Sequence, residues 1–245
     1  PMKTAFRLCN YLVRITPRFH RYREISNEIM GYFKNVSPLV EPLSLDEAYI
    51  DVTGIQNRRQ SAIDLKARIE KSTHLTITIG GGTSKTVAKV ASQVAKPNGL
   101  LLILAGQEKT FLKDLPVDLL MGVGPKTLER LNIAGITKIG ELASTDMQWM
   151  EYQFGIRGLE LHNKALGLDD PPVNPNRETK SMSVETTFVD DLDRLEEIEA
   201  VLATLSDRLV NHLRKSGVKG KTVKLKFRLS DFSTFTRQRT LPLST

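Results

Sequence analysis

Cysteine is almost absent from this chain, since Cys9 is the single cysteine among 245 residues. One thiol cannot form an internal disulfide, so we expect a protein of a reducing compartment. No apolar run is long enough to span a membrane and no secretory pattern stands near the start, which predicts a cytoplasmic protein that does not use a membrane. Repeats of solenoid period and low-complexity tracts are absent as well, which leaves an ordinary globular chain.

Positive charge is in excess, with 35 Lys and Arg against 28 Asp and Glu and a net charge of +7. This balance favours a polyanionic partner, although many basic proteins never bind nucleic acid. The distribution of the basic residues along the chain therefore decides whether a nucleic-acid partner is indicated.

Apolar periodicity predicts alternating helices and strands over the first hundred residues. Spacings of three and four residues indicate helices around 5–12, 22–33, 62–69 and 87–94. Strands are predicted at 75–79 and 99–104, and a hairpin around Asp46. This alternation predicts an α+β sheet domain with helices on one face.

Two adjacent carboxylates, Asp46 and Glu47, stand in the apolar, strand-like run PLSLDEAYIDVT at 42–53. Strict strand alternation turns Glu47, Tyr49 and Asp51 outward, and only a bend at 44–46 lets the adjacent acids share one site. Carboxylates at a hairpin tip suit Mg²⁺, which binds one or two protein carboxylates together with substrate phosphates. A solvated turn is the alternative.

Three glycines open the segment GGGTSKTVAKVASQVAKPNG at 80–99, which continues into a helix expected to carry Lys85, Lys89 and Lys96. Glycines and a helix N-terminus can bring backbone amides close to phosphate oxygens, and lysines add charge. The segment is not a P-loop, because GxxxxGK[ST] is missing. An ordinary glycine turn is the alternative.

The segment 115–143 reads as a helix-hairpin-helix. Gly122 and Gly124 separate two short helical stretches, and Pro125 suits the first turn of the second. Such a turn offers backbone N–H groups, supported by Lys126, to DNA phosphates without reading bases. An ordinary turn between helices is the alternative.

A proline-rich linker at 169–180 precedes a new domain. Alternation predicts an extended face at 181–188, and apolar spacing predicts a long helix from Leu195 to Leu213. The next strand, 222–230, has an apolar face, and its other face carries Lys224, Lys226 and Arg228. A further strand adds Arg237 and Arg239, so this basic sheet is predicted to lie against a sugar-phosphate backbone. A solvated face is the alternative.

Together these segments resemble the Y-family of translesion DNA polymerases, of the DinB and UmuC type, over nearly the whole chain. SLDEAYIDVT is similar to the second palm motif and GTSKTVAKVASQVAKPNG to the palm helix. GVGPKTLERLNIAGITKIGEL is similar to the thumb hairpin, and SVETTF to the start of the little finger.

The resemblance implies a low-fidelity, template-directed DNA polymerase that binds primer–template DNA and deoxynucleoside triphosphates. Asp46 would be a Mg²⁺ ligand, Glu47 would complete a catalytic two-Mg²⁺ site, and Lys96 would contact the incoming triphosphate. The implied domains are a palm at 1–106, a thumb at 107–168, the linker at 169–180 and a little finger at 181–245. The fold would combine a partial palm sheet, a small all-α thumb and an α/β little finger.

The chain departs from the family pattern at both ends. The first palm strand, with a further metal-binding Asp and the residue that excludes ribonucleotides, has no match, nor does a sliding-clamp-binding tail. We therefore expect a piece of a longer polymerase that does not polymerise alone. The alternatives are a non-catalytic UmuC-like DNA-binding scaffold and a repair nuclease using the helix-hairpin-helix; a palm-fold nucleotide cyclase would share only the acids and Mg²⁺.

Overall fold

The computed structural model describes residues 2–169, 171–176 and 178–242. It divides into two compact units, residues 1–176 and 177–245. Pro1, Asp170, Arg177 and 243–245, which the predicted domain ranges include, lie outside the described residues. The division between the units falls within the proline-rich segment at 169–180.

The first unit mixes helices with short strands. Its helices are α1 (Met2–Leu8), α2 (Phe19–Val36), α3 (Arg58–Thr73), α4 (Lys85–Val94), α5 (Glu108–Leu112), α6 (Pro125–Ile133), α7 (Ile139–Ala143), α8 (Met147–Phe154) and α9 (Ile156–Ala165), with a 3₁₀ turn at Val117–Leu119. Its strands are β1 (Val40–Pro42), β2 (Ala48–Ile50), β3 (Ile79–Gly81) and β4 (Leu100–Leu102). The second, third and fourth predicted helices are confirmed, whereas the first ends before Cys9.

The four strands pair two by two. β1 and β2 are antiparallel, with Glu41 opposite Tyr49, and β3 and β4 are parallel, with Gly80 opposite Leu101. The single sheet predicted for this region is therefore wrong within the described residues, because no ladder joins the two pairs. The strand predicted from Leu75 begins only at Ile79, since the preceding residues have no strand beside them there.

One hydrophobic core joins α4 to the helices that follow it. Val87 and Val90 of α4 are buried together with side chains from the 3₁₀ turn and from α5 to α9. The fully buried members of this core include Leu112, Val117, Leu131, Ile139, Leu142 and Met150. This packing fixes α4 between the strand pairs and the helices α5 to α9.

The glycines before α4 allow close packing. A Cβ on Gly80 would lie 2.1 Å from the backbone N of Ser92 and 2.2 Å from the carbonyl O of Ala88. Gly80 and Gly81 belong to β3 itself rather than to a loop. The predicted phosphate-binding turn is therefore wrong for these two residues, whose backbone packs against α4 and β4.

Replacing Gly80 with alanine is expected to destabilise the first unit by roughly 1–3 kcal/mol, because backbone atoms of α4 would have to move. The matched control is Gly31→Ala within α2, where nothing lies within 4 Å of an added Cβ. That change should stabilise by up to about 1 kcal/mol, because alanine restricts the unfolded chain. Chemical denaturation of both variants gives the comparison, and equal stability would contradict the packing role of Gly80.

The second unit consists of a long helix and a hairpin. Helix α10 (Leu195–Ser216) is followed by the antiparallel strands β5 (Thr222–Arg228) and β6 (Thr234–Thr240). The rings of Phe227 and Phe235 stack across the hairpin at 5.3 Å. The strand implied by the alternation at 181–188 is not found among the described residues, because no neighbouring strand pairs with this segment there.

No helix in the described part of the chain is both long and apolar enough to cross a lipid bilayer.

Candidate active site

The acids Asp46 and Glu47 lie in the turn that joins β1 to β2. Residues 44–46 form the predicted bend, and the carbonyl O of Glu47 accepts hydrogen bonds from the N–H groups of Leu43 and Ser44 at 2.9 and 3.3 Å. The Ser44 hydroxyl donates to Oδ1 of Asp46 at 2.5 Å. The turn therefore holds both acids at the end of a short hairpin, with the side chain of Asp46 exposed.

Two lysines of α4 reach across to this hairpin. Lys85 Nζ lies 2.5 Å from Glu41 Oε2, and Lys89 Nζ lies 2.5 Å from Glu47 Oε1. The two lysines are four residues apart and so project from the same side of the helix. Each of them is thus paired with a glutamate in the described structure, which the predicted anion-binding role did not include.

Tyr49 lies between these two ion pairs and is buried, with 8% of its surface exposed. Residues directly opposite in an antiparallel pair share a face, so Glu41 and Tyr49 lie on one side, with Glu47 two residues before Tyr49. Lys85 Nζ lies 5.6 Å from the Tyr49 ring centroid. The prediction that Tyr49 points outward is therefore wrong, because this face of the hairpin is covered by α4.

Burial raises the pKa of Tyr49 to about 12, and the negative charges of Asp169, Glu41 and Glu47 add to the increase. Its hydroxyl is buried and has no hydrogen-bond partner among the described residues. The phenol therefore stays protonated at neutral pH and keeps an O–H group available as a donor.

Residues that follow α9 also bind α4 and β1. Oδ2 of Asp169 accepts hydrogen bonds from the backbone N–H of Thr86 at 3.2 Å and from its hydroxyl at 3.0 Å. The N–H of Asn174 donates to Glu41 Oε2 at 2.8 Å. The start of the predicted linker is thus attached to the hairpin and to the N-terminus of α4, which its proline-rich composition did not predict.

Lys96 lies outside α4, which ends at Val94. It stands in the turn at 95–98, and its exposed side chain forms no ion pair or hydrogen bond within the described residues. Lys66 binds this turn, since its Nζ donates to Asn98 Oδ1 at 2.7 Å and to the Asn98 carbonyl O at 3.1 Å. The prediction that the helix carries Lys96 is therefore wrong, but the lysine is free to meet a ligand.

The predicted helix-hairpin-helix turn has the expected local geometry. A 3₁₀ turn precedes it, Gly124 is the N-cap of α6, and Pro125 occupies the first turn of that helix. Gly122 has a φ of +109°, which favours glycine. The first N–H groups of a helix have no partner within it, so those of Lys126 and Thr127 are available beside the exposed Lys126 side chain.

A cleft of about 400 Å³ separates α4 from this turn. Lys89 and Gln93 line one side, and residues 118–124, which include Gly122 and Gly124, line the other. The Oε1 atom of Gln93 is buried without a hydrogen-bond partner among the described residues. The structure thus brings Lys89, the partner of Glu47, and the glycine turn to the same cleft.

The basic residues of the second unit divide between the two faces of its hairpin. Val223 lies opposite Arg239 and Leu225 opposite Arg237, so both arginines share the apolar face. Lys224, Lys226 and Arg228 lie on the other face, opposite Gln238, Thr236 and Thr234. Strand β6 therefore adds Arg237 and Arg239 to the sheet, as predicted, but not to the face that carries the lysines, because the pairing register decides which face each residue occupies.

The hairpin tip supplies some, but not all, of the ligands that a hard divalent cation needs. Two carboxylates from adjacent residues suit Mg²⁺, and a cationic group, the Lys89 ammonium, already lies beside Glu47. No group of three or more His, Cys, Asp or Glu residues that could hold a metal occurs in the described part of the chain. Two protein ligands therefore require water or substrate oxygens to complete a coordination shell.

Comparisons with known proteins identify the family of this chain. The family model described as the impB/mucB/samB family matches residues 1–93, and the model of its C-terminal domain matches residues 179–245. The DNA polymerase IV of Alkalilimnicola ehrlichii is 39% identical over 241 residues, which are 97% of this chain and 68% of that relative. This chain belongs to the impB/mucB/samB family of Y-family DNA polymerases. The resemblance predicted from the motifs is confirmed.

Another relative and a solved structure also match this chain over its whole length. The DNA polymerase IV of Caulobacter vibrioides is 38% identical over 250 residues, which cover 100% of this chain. A solved structure of a Y-family DNA polymerase chimera of Dbh and Dpo4 superposes with a TM-score of 0.88 at 25% identity and covers 100% of this chain and 72% of its own. The chain spans 62% of the length of the Caulobacter relative.

Proposed function

We propose that the complete gene product is a low-fidelity, template-directed DNA polymerase that acts in translesion synthesis. The observation that carries this proposal is the hairpin tip, where Asp46 and Glu47 lie at the end of β1 and β2 and Glu47 is paired with Lys89. A cleft lined by Lys89 leads to the glycine turn of the helix-hairpin-helix. Chemistry at a nucleic-acid end needs such a combination of acids and phosphate-binding groups.

The domain assignment is part of the proposal. Residues 1–106 would form a palm with a fingers segment at its start, 107–168 a thumb, 169–180 a linker and 181–245 a little finger. The all-helical stretch from α5 to α9 supports a thumb, and the division into units at residue 176 supports a separate little finger.

Asp46 and Glu47 would hold Mg²⁺, with two ions expected in the complete protein. Bound Mg²⁺ stabilises charge on the attacking and leaving oxygens of an in-line phosphoryl transfer. Asp46 is exposed and bonded to Ser44, so its second oxygen, Oδ2, faces no protein donor in the described structure. Glu47 offers its Oε2 atom while Oε1 is paired with Lys89.

The remaining residues would bind substrates. Lys96, exposed beyond the end of α4, would contact the triphosphate of a deoxynucleotide as a point charge. Gly122, Gly124 and Lys126 would bind phosphates of the primer–template duplex through backbone N–H groups. The face with Lys224, Lys226 and Arg228 would follow the DNA backbone, while a sliding clamp would bind elsewhere in the complete protein.

Extension of a primed template tests this function. The complete gene product should extend a labelled primer on undamaged and abasic templates in Mg²⁺, and EDTA should stop extension. Residues 1–245 alone should bind the same DNA without extending it. Three other results for the complete gene product would overturn the proposal. Shortening of the DNA would indicate a nuclease, and DNA binding without any reaction would indicate a scaffold. A cyclic nucleotide product would indicate a cyclase.

A further inference from the structure

The ammonium group of Lys89 is the nearest described cation to the proposed metal site. Its Nζ lies 2.5 Å from Glu47 Oε1, and only 18% of its side chain is exposed, against 40% for Glu47. Lys85, one helical turn away, is already paired with Glu41. Lys89 is therefore the lysine of α4 that is available to Glu47.

The two partners differ in how firmly the fold holds them. Lys89 belongs to α4, whose Val87, Val90 and Ala91 are buried and whose backbone packs closely on Gly80. The N-terminus of this helix is capped by Ser84, whose hydroxyl accepts the N–H of Val87 at 3.3 Å. Glu47 instead belongs to a turn next to a three-residue strand. The helix therefore fixes the lysine, and the lysine fixes the carboxylate.

The pair occupies one side of the Glu47 carboxylate. Because Lys89 holds Oε1, a divalent cation can approach freely only through Oε2. A positive charge at this distance also repels a second cation, and the repulsion is only partly screened where the lysine is mostly buried. The contact between Lys89 and Glu47 thus has two effects: it orients the Glu47 carboxylate, and it weakens metal binding there.

We propose that Lys89 is a positioning residue that acts as a resident counter-cation of Glu47: it orients the carboxylate for catalysis and lowers the affinity of the site for a divalent metal. The inference rests on the proposed function, since it concerns the same metal site. Two effects of opposite sign follow from it. Neutralising Lys89 raises the metal affinity and lowers the rate of nucleotide addition. If Lys89 only supported the fold, neutralising it would not raise the metal affinity.

Binding of Mn²⁺ alone, followed by the electron paramagnetic resonance signal of the free ion, tests the first effect. In the complete gene product, Lys89→Met should tighten Mn²⁺ binding about fivefold or more, because a nearby unit charge is removed. Lys89→Arg keeps the charge and should bind as the parent does. Lys85→Met removes an equal charge from the same helix face, but away from Glu47, and should change the affinity less than twofold.

A double-mutant cycle assigns the effect to the pair. In a Glu47→Gln background, Lys89→Met should raise Mn²⁺ affinity much less than in the parent, by under about twofold, because Glu47 no longer binds the metal beside the lysine. Unchanged or weaker binding by Lys89→Met, or an equal gain in Lys85→Met, would overturn the proposal. Far-ultraviolet circular dichroism checks the fold of each variant, and Lys89→Gln replaces the methionine variant if that one does not fold.

The rate of nucleotide addition provides the second readout. Lys89→Met should lower kcat about tenfold even at saturating metal, since Glu47 is no longer held in one orientation. Unchanged kcat would remove the orienting role. If the parent protein adds no nucleotide at all, the proposed function fails, but the Mn²⁺ comparison still decides whether Lys89 opposes metal binding at Glu47.

Discussion

Replacing Glu47 with glutamine is expected to lower nucleotide addition by the complete gene product about 10³-fold while primer–template binding stays within about twofold. The amide is nearly the same size as the carboxylate but carries no charge, so it neither binds Mg²⁺ strongly nor pairs with Lys89 as an ion. Losses of 10²–10³ are typical when one group that stabilises charge in a transition state is removed. Single-turnover incorporation and fluorescence anisotropy measure the two quantities.

The matched control for this change is Glu41→Gln. Glu41 lies in the same hairpin and has the same kind of partner, with Lys85 Nζ at 2.5 Å, but it stands in β1 rather than at the tip. Its replacement should reduce the rate less than tenfold and act mainly on stability. A comparable loss in both variants would mean that the hairpin, rather than a metal site at its tip, supports activity.

Replacing Lys224, Lys226 and Arg228 together with glutamine is expected to weaken DNA binding and to flatten its salt dependence. Each phosphate contact contributes about 0.9 to the slope of log K against log salt concentration, so losing three contacts should reduce the slope by about 2.7. Binding to a fixed primer–template between 50 and 200 mM salt measures it, since these are conditions where counterion release dominates.

The pairing of β5 with β6 supplies the control. Arg237→Gln with Arg239→Gln also removes positive charge from the hairpin, but from its opposite, apolar face. This double variant should change the salt slope by less than about 0.5 in total, because only one face can lie along a DNA backbone and charges on the other face release few counterions. A larger slope change in the arginine variant than in the lysine-face variant would assign DNA binding to the other face.

The sequence predicted local features of the candidate site well. The hairpin around Asp46 and the bend at 44–46 follow from an acidic pair between two strand-forming runs, with Pro42 before them. The glycine turn before α6 follows from GVGP, where Pro125 suits the first helical turn. Such features depend on neighbours along the chain and are therefore readable from it.

Features that depend on distant partners could not be read in the same way. Tyr49 is buried by a helix some forty residues further along the chain, so strand alternation gave the wrong face. The sequence indicated the Lys89–Glu47 pair only through two lysines, Lys85 and Lys89, spaced four residues apart. That spacing suits anion binding equally well. The face of Arg237 depends on a register that the strand sequence alone does not specify.

Diffraction from the complete gene product, crystallised with primer–template DNA, a non-hydrolysable deoxynucleoside triphosphate and Mn²⁺, tests the metal site most directly. We predict an anomalous peak roughly 2 Å from carboxylate oxygens of both Asp46 and Glu47, the distance of a hard divalent cation from its ligands. The triphosphate should lie within reach of Lys96. Manganese bound to other residues, with Asp46 and Glu47 facing solvent, would contradict the assignment of the hairpin tip as the catalytic centre.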